Sequence, residues 1–151
     1  MESSPNESSP LLPDPNKEPS KRTAEMSALT YWRVGAVYGA TAVAMGAFGA
    51  HGLKKRITDP QKIASWGTAA HYQLLHSGAV MLAASVGTGN PVAAGLFTAG
   101  MTMFSGSIYA LILDPERFKF LGPVTPIGGV CLIAGWIALG FTKRGVFPRL
   151  R

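Results

Sequence analysis

The sequence predicts an all-α protein, an integral membrane four-helix bundle of up-down-up-down topology behind a disordered N-terminal tail. Four apolar runs carry that prediction, at 34–53, 70–86, 92–113 and 125–142. Each holds 17 to 22 residues without Asp, Glu, Lys or Arg, the length a helix needs to cross ~30 Å of hydrocarbon. Long helices of a soluble protein would carry a charged face at helical spacing, and none of the four runs shows one. Short connections between the runs make consecutive helices antiparallel neighbours.

Three parts follow from composition: a polar tail over 1–30, a helical domain over 31–144 and a basic tail over 145–151. The first part, MESSPNESSPLLPDPNKEPSKRTAEMSALT, is rich in Pro, Ser and charge, a composition that buries too little apolar surface to offset chain entropy. The first apolar run begins too far from Met1 for an ordinary cleaved signal peptide, and the acidic tail is unlike an Arg-rich presequence. Within it, Glu7-Ser8-Ser9-Pro10-Leu11-Leu12 looks like an acidic dileucine sorting signal of vacuolar or lysosomal proteins.

The first helix, laid out at 100° per residue, gathers Val34, Val37, Tyr38, Thr41, Met45 and Phe48 on one arc. Gly35, Gly39, Ala42, Gly46 and Gly49 lie along one edge of the other arc, and Ala40, Ala44, Ala47 and His51 along its second edge. Small residues let helix backbones approach closely in lipid. His51 is therefore expected to face protein, as a hydrogen-bonded imidazole at the loop-side end of the bundle.

The second helix is expected to start with Asp59 as N-cap and Pro60 as its first residue. Trp66 would mark the membrane boundary. Gln73, His76 and Ser77 share an arc with Trp66 and Ala69, while His71 falls opposite with Leu75 and Leu82. His71 and His76 point about 140° apart and cannot chelate one metal.

Thr98, Thr102, Ser105 and Tyr109 draw a hydroxyl stripe along the third helix, read first as a seam of interhelical hydrogen bonds. The fourth helix is expected to start with Thr125 as cap and Pro126 as first residue. Gly128, Cys131, Gly135 and Thr142 give it a seam of small residues. Gly35, Gly39, Gly46, Gly49, Gly128 and Gly135 are the expected helix-packing positions.

Alternating topology brings His51, Tyr72, Gln73, His76, Ser105, Ser107, Tyr109 and Thr125 to one side of the membrane. A polar cluster in one leaflet is the candidate site. A faint echo between FGAH at 48–51 and FSGS at 104–107, each ahead of a loop with Asp-Pro, fits two hairpins related as a repeat.

The formal charge of +6 sits in the flanks, without aromatic-studded basic motifs, so no nucleic acid is expected as partner. Lys17, Lys21, Arg22, Arg33, Lys143, Arg144, Arg149 and Arg151 lie on the side of the termini, and Lys54, Lys55, Arg56, Lys62, Arg117 and Lys119 on the other. Eight against six favours termini on the cytosolic or matrix side. Cys131 is the single cysteine, which excludes an intrachain disulfide and any cage built on thiolates.

GAFGAHGLKK at 46–55, WGTAAHYQLLH at 66–76, LFTAGMTMFSGSIYAL at 96–111 and GPVTPIGG at 122–129 closely resemble a known family, the DUF423 or UPF0382 small membrane proteins, which include the eukaryotic transmembrane protein 256 group. The resemblance covers about 31 to 143 and implies a four-helix integral membrane protein without implying a reaction. Eukaryotic relatives look mitochondrial, which points to the mitochondrial inner membrane, with a vacuolar or other endomembrane as the alternative from the dileucine stretch.

Function is expected to be non-enzymatic: a structural or accessory subunit or assembly factor in a membrane complex. Its partners would be the lipid bilayer and membrane proteins or further copies of the chain. The alternative is a small transporter or proton-conducting module using the His, Gln and Tyr groups, since intramembrane ionisable side chains are functional candidates. A haem or metal site on His51 and His76 lacks supporting carboxylates or thiols. No catalytic residue, metal or cofactor is expected, because no acidic residue lies within the bundle to orient a base.

Overall fold

The computed structural model describes residues 17–86 and 89–141, and these are all-helical. Five α-helices follow one another among the described residues: α1, Lys17–His51; α2, Pro60–Ser85; α3, Pro91–Leu113; the single turn α4, Pro115–Phe118; and α5, Val124–Gly140. Two 3₁₀ turns, Leu53–Lys55 and Lys119–Leu121, complete the connections on one side.

Helix α1 corrects the expected tail boundary, because it starts at Lys17 rather than after residue 30. Ala24, Glu25, Met26 and Leu29 are good helix formers, and a helix nucleated downstream extends at one hydrogen bond per residue. Residues 1–16, with the dileucine stretch, and the basic tail 145–151 lie outside the described residues. At its other end α1 stops at His51, and the 3₁₀ turn carries Leu53 into full burial.

Asp59 caps α2 as its sequence implies, accepting from the backbone N–H of Gln61 at 2.8 Å ahead of Pro60. Asn90 caps α3 by accepting from the N–H of Ala93 at 2.9 Å. Its amide also donates to the Ala138 carbonyl at 3.1 Å, tying the start of α3 to the end of α5. The expected cap of the last helix is corrected. Helix α5 begins at Val124 after Pro123 without a side-chain cap, because the Thr125 hydroxyl bonds across to Ser107 at 2.6 Å instead.

Antiparallel register is written in the contacts. Along α1 and α2, Gly35 meets Ser77 and Met81, whereas Gly49 meets Trp66. Along α3 and α5, Gly100 meets Leu132 and Gly135 meets Phe97. Helix α2 lies against α3 through Trp66 with Tyr109, Tyr72 with Phe104, and His76 with Phe97.

Two apolar cores result. One gathers Val80, Ala83, Ala93, Phe97, Met101 and Leu132 toward the α2–α3 turn. The other holds Leu53, Trp66, Ala69, Tyr109 and Ile112 at the opposite end. Trp66 is 1% exposed and donates its indole N–H to the Met45 carbonyl at 2.8 Å. It is a core residue, packed against Phe48 and Tyr109.

Among the described residues, α3 alone is long and apolar enough to cross a membrane by itself. The segments Pro115–Leu121 and Val124–Gly140, bent by 47°, qualify together as a second candidate. Glycine and alanine dilute the apolar character of α1, and Tyr72, Gln73, His76 and Ser77 that of α2. Of these, Gly35, Gly39, Gly49, Gln73 and His76 face neighbouring helices.

Candidate functional site

Gln73 joins three helices. Its amide Nε2 donates to the Tyr38 carbonyl at 3.0 Å and to the Thr41 hydroxyl at 2.8 Å, both on α1. Its Oε1 accepts from the Tyr109 hydroxyl of α3 at 3.1 Å. Both amide protons and the carbonyl oxygen are thus engaged, with Gln73 only 6% exposed. A few ångströms of apolar surroundings make such a satisfied amide stabilising, whereas an unpaired one would be costly.

A second link from α1 to α3 lies nearby. Thr102 donates to the Thr98 carbonyl at 2.8 Å, so its oxygen receives the Tyr38 hydroxyl proton across 2.6 Å. The expected hydroxyl stripe therefore divides in use. Thr98 bonds back within α3 to Ala94, Thr102 reaches α1, and Ser105 donates to the Ala69 carbonyl of α2 at 2.8 Å.

His76 occupies an aromatic enclosure built by three helices. Tyr72 stacks on the imidazole at 5.6 Å between centroids, Phe97 tilts against it at 5.7 Å, and Trp136 meets it edge-on at 5.9 Å. Its Nδ1 lies 2.7 Å from the Tyr72 carbonyl, and its Nε2 3.1 Å from the Trp136 indole nitrogen. Indole N–H can only donate. Nε2 is accordingly the unprotonated acceptor, and Nδ1–H donates to the carbonyl.

The eight residues expected as one cluster resolve into separate sets. Gln73 with Tyr109 ties α2 to α3, Ser107 with Thr125 ties α3 to α5, Ser105 holds a backbone carbonyl, and Tyr72 with His76 belongs to the aromatic enclosure. His51 stands outside all of them. It is exposed, since it follows Gly49 by two residues, or about 200° around the helix, and Gly49 faces Trp66. The alanine edge of α1, Ala40, Ala44 and Ala47, is exposed with it.

His51 and His76 are also far apart along the molecule. Trp66, beside Gly49, precedes His76 by ten residues of α2, about 15 Å of helix rise. One haem or metal ion cannot take both as ligands.

All six glycines expected in helix contacts have a neighbour within 4 Å of the place a Cβ would occupy. Gly46 is the loosest, 4.0 Å from Ala70, and Gly128 the tightest, against the backbone of Phe104. Gly100, 2.6 Å from Leu132, belongs with them although the sequence did not single it out. Trp136, Phe97 and Tyr38 were also missed as partners of the polar groups. For Trp136 a signal existed: its position in the middle of an apolar run, away from the interface where Trp collects, calls for a hydrogen-bond acceptor inside the protein.

Among the described residues, no buried side-chain nitrogen or oxygen lacks a hydrogen-bond partner. Fold and site together define a small all-helical protein whose interior polar groups are hydrogen-bonded internally, several of them from helix to helix. The family model described as a protein of unknown function, DUF423, matches residues 45–129, and the chain belongs to that family. A UPF0382 membrane protein of Schizosaccharomyces pombe is 41% identical over 120 residues, 74% of this chain and 98% of that one. A UPF0382 membrane protein of Staphylococcus aureus is 41% identical over 110 residues, covering 70% and 88% of the two chains. The UPF0382 membrane protein YwdK of Bacillus subtilis is 38% identical over 112 residues, covering 70% and 89%. No solved structure matches the chain.

Proposed function

We propose that the protein is a multi-pass membrane scaffold, a non-enzymatic accessory subunit or assembly factor whose four long helices, α5 being extended by α4, each cross the bilayer as a four-helix bundle. The observation that carries this reading is the division between inside and outside. Buried polar side chains among the described residues have hydrogen-bond partners within the protein, while Leu75, Val92, Val130, Ile133, Ile137 and Phe141 are all more than half exposed. In water such a surface is a liability. In hydrocarbon it is the ordinary exterior, and close glycine contacts with internal hydrogen bonds are what hold helices together there.

The same observation weighs against a transporter. A proton or solute path needs groups that exchange partners, and Gln73, Tyr109 and His76 have theirs fixed within the protein. The location that goes with this reading is the mitochondrial inner membrane, as the resemblance to eukaryotic family members implies.

Solubilisation from native membranes in mild detergent, followed by sizing, tests the proposal. A stoichiometric protein partner is the expected result. Repeated recovery of a lone monomer would count decisively against a subunit or assembly role.

A further inference from the structure

The end of the molecule that holds Leu53 and Tyr109 carries an unusual surface. Leu53 and Ile57 share a core with Tyr109 and Ile112, so the α1–α2 and α3–α5 connections sit side by side. Between them they expose Lys54, Lys55, Arg56, Lys62, Arg117 and Lys119. The nearby acids are Asp59, Asp114 and Glu116, and the first two already accept backbone N–H bonds as helix caps. The positive charge therefore predominates there.

Aromatic side chains alternate with these cations in Arg117-Phe118-Lys119-Phe120. The Arg117 guanidinium lies 5.5 Å from the centre of the Phe118 ring, and Phe120 is 69% exposed. The bend of 47° turns this segment off the axis of α5, so that it runs partly across the end of the helices. A short, cross-running segment of alternating Phe and cation suits the plane where headgroups meet hydrocarbon: rings sink, ammonium and guanidinium groups reach out.

We propose that this end docks the phosphates of anionic phospholipid headgroups, with Phe120 inserted beside them. Charge complementarity commits the surface to lipid, since Lys and Arg near a membrane attract anionic headgroups additively and an exposed Phe gains only where there is an apolar layer to enter. The inference rests on the membrane reading above.

The test uses the full chain in nanodiscs of phosphatidylcholine with and without phosphatidylglycerol, at low salt. Native mass spectrometry reads which lipid stays bound, and a nitroxide on a Phe120→Cys, Cys131→Ala protein reads depth from its accessibility to oxygen and to aqueous nickel. Phosphatidylglycerol should be retained over phosphatidylcholine, and Lys54→Gln with Lys55→Gln and Arg56→Gln should reduce that preference roughly fivefold or more. Lys54→Arg with Lys55→Arg should keep it. Equal retention of both lipids, or a preference untouched by the Gln substitutions while the label sits at headgroup depth, would overturn the headgroup site and leave the membrane reading intact. A label freely accessible to aqueous nickel would overturn the insertion of Phe120, whereas failure of the full chain to enter the nanodiscs would overturn the membrane reading.

Discussion

The indole N–H of Trp136 on α5 donates to Nε2 of His76 on α2 across 3.1 Å. That bond, with Nδ1 2.7 Å from the Tyr72 carbonyl, assigns one neutral tautomer to the imidazole. It also makes Trp136, half exposed on its other side, the cover of the aromatic enclosure.

Nitrogen-15 NMR of the reconstituted protein should therefore show His76 protonated at Nδ1 and bare at Nε2. Trp136→Phe removes the donor while leaving the ring volume largely filled. It should lower stability by roughly 1–2 kcal/mol, the cost of a buried acceptor left unpaired, and shift the His76 signals. A protonated Nε2 in the wild type would contradict the assignment.

Gln73 should be a larger loss. Gln73→Leu breaks three interhelical bonds, each worth about 0.6 kcal/mol on average in membranes, so roughly 2 kcal/mol is expected from unfolding in detergent. Because the Tyr109 hydroxyl would then be stranded, Tyr109→Phe should be milder in the Gln73→Leu background than in the wild type. Additive losses would mean the two side chains are uncoupled.

Glycines offer a controlled contrast. A methyl at Gly100 would stand 2.6 Å from Leu132, and one at Gly49 2.5 Å from Trp66, which is itself fully buried. Gly100→Ala and Gly49→Ala should each cost roughly 1–3 kcal/mol through overpacking. Gly67 and Gly106 have nothing within 4 Å of that position. Replacing either by Ala should be neutral or stabilising by up to about 1 kcal/mol. Equal effects at all four sites would refute the contact assignment.

The loop-side end of α1 gives the last comparison. His51→Ala should stay within about 0.5 kcal/mol of the wild type, as exposed substitutions do. Leu53→Ala empties a fully buried site and should cost roughly 2–5 kcal/mol. A thermal shift series in one detergent separates the two.

Legibility followed the range of the forces involved. Asp59 ahead of Pro60 was readable because a cap and the first turn it serves are neighbours in sequence. The inward face of α2, with Trp66, Ala69, Gln73, His76 and Ser77, was readable because polarity and small size recur at helical spacing. Thr125 was misread for the opposite reason. Locally it resembles a cap, but Ser107, on another helix, is the partner its hydroxyl takes.

By itself the sequence determined an all-helical chain of a membrane family, with glycines on the faces that meet and apolar runs whose basic connections lie at one end. Periodicity and residue size suffice for that, since each acts within one helix. Only tertiary structure decided that His51 stands outside while Leu53 is buried, that α1 begins at Lys17, and that the polar residues form several interhelical pairs instead of one cluster. Those outcomes depend on which way one helix turns against another. A rotation of 100° per residue makes a shift of one or two positions enough to exchange an inward side chain for an outward one.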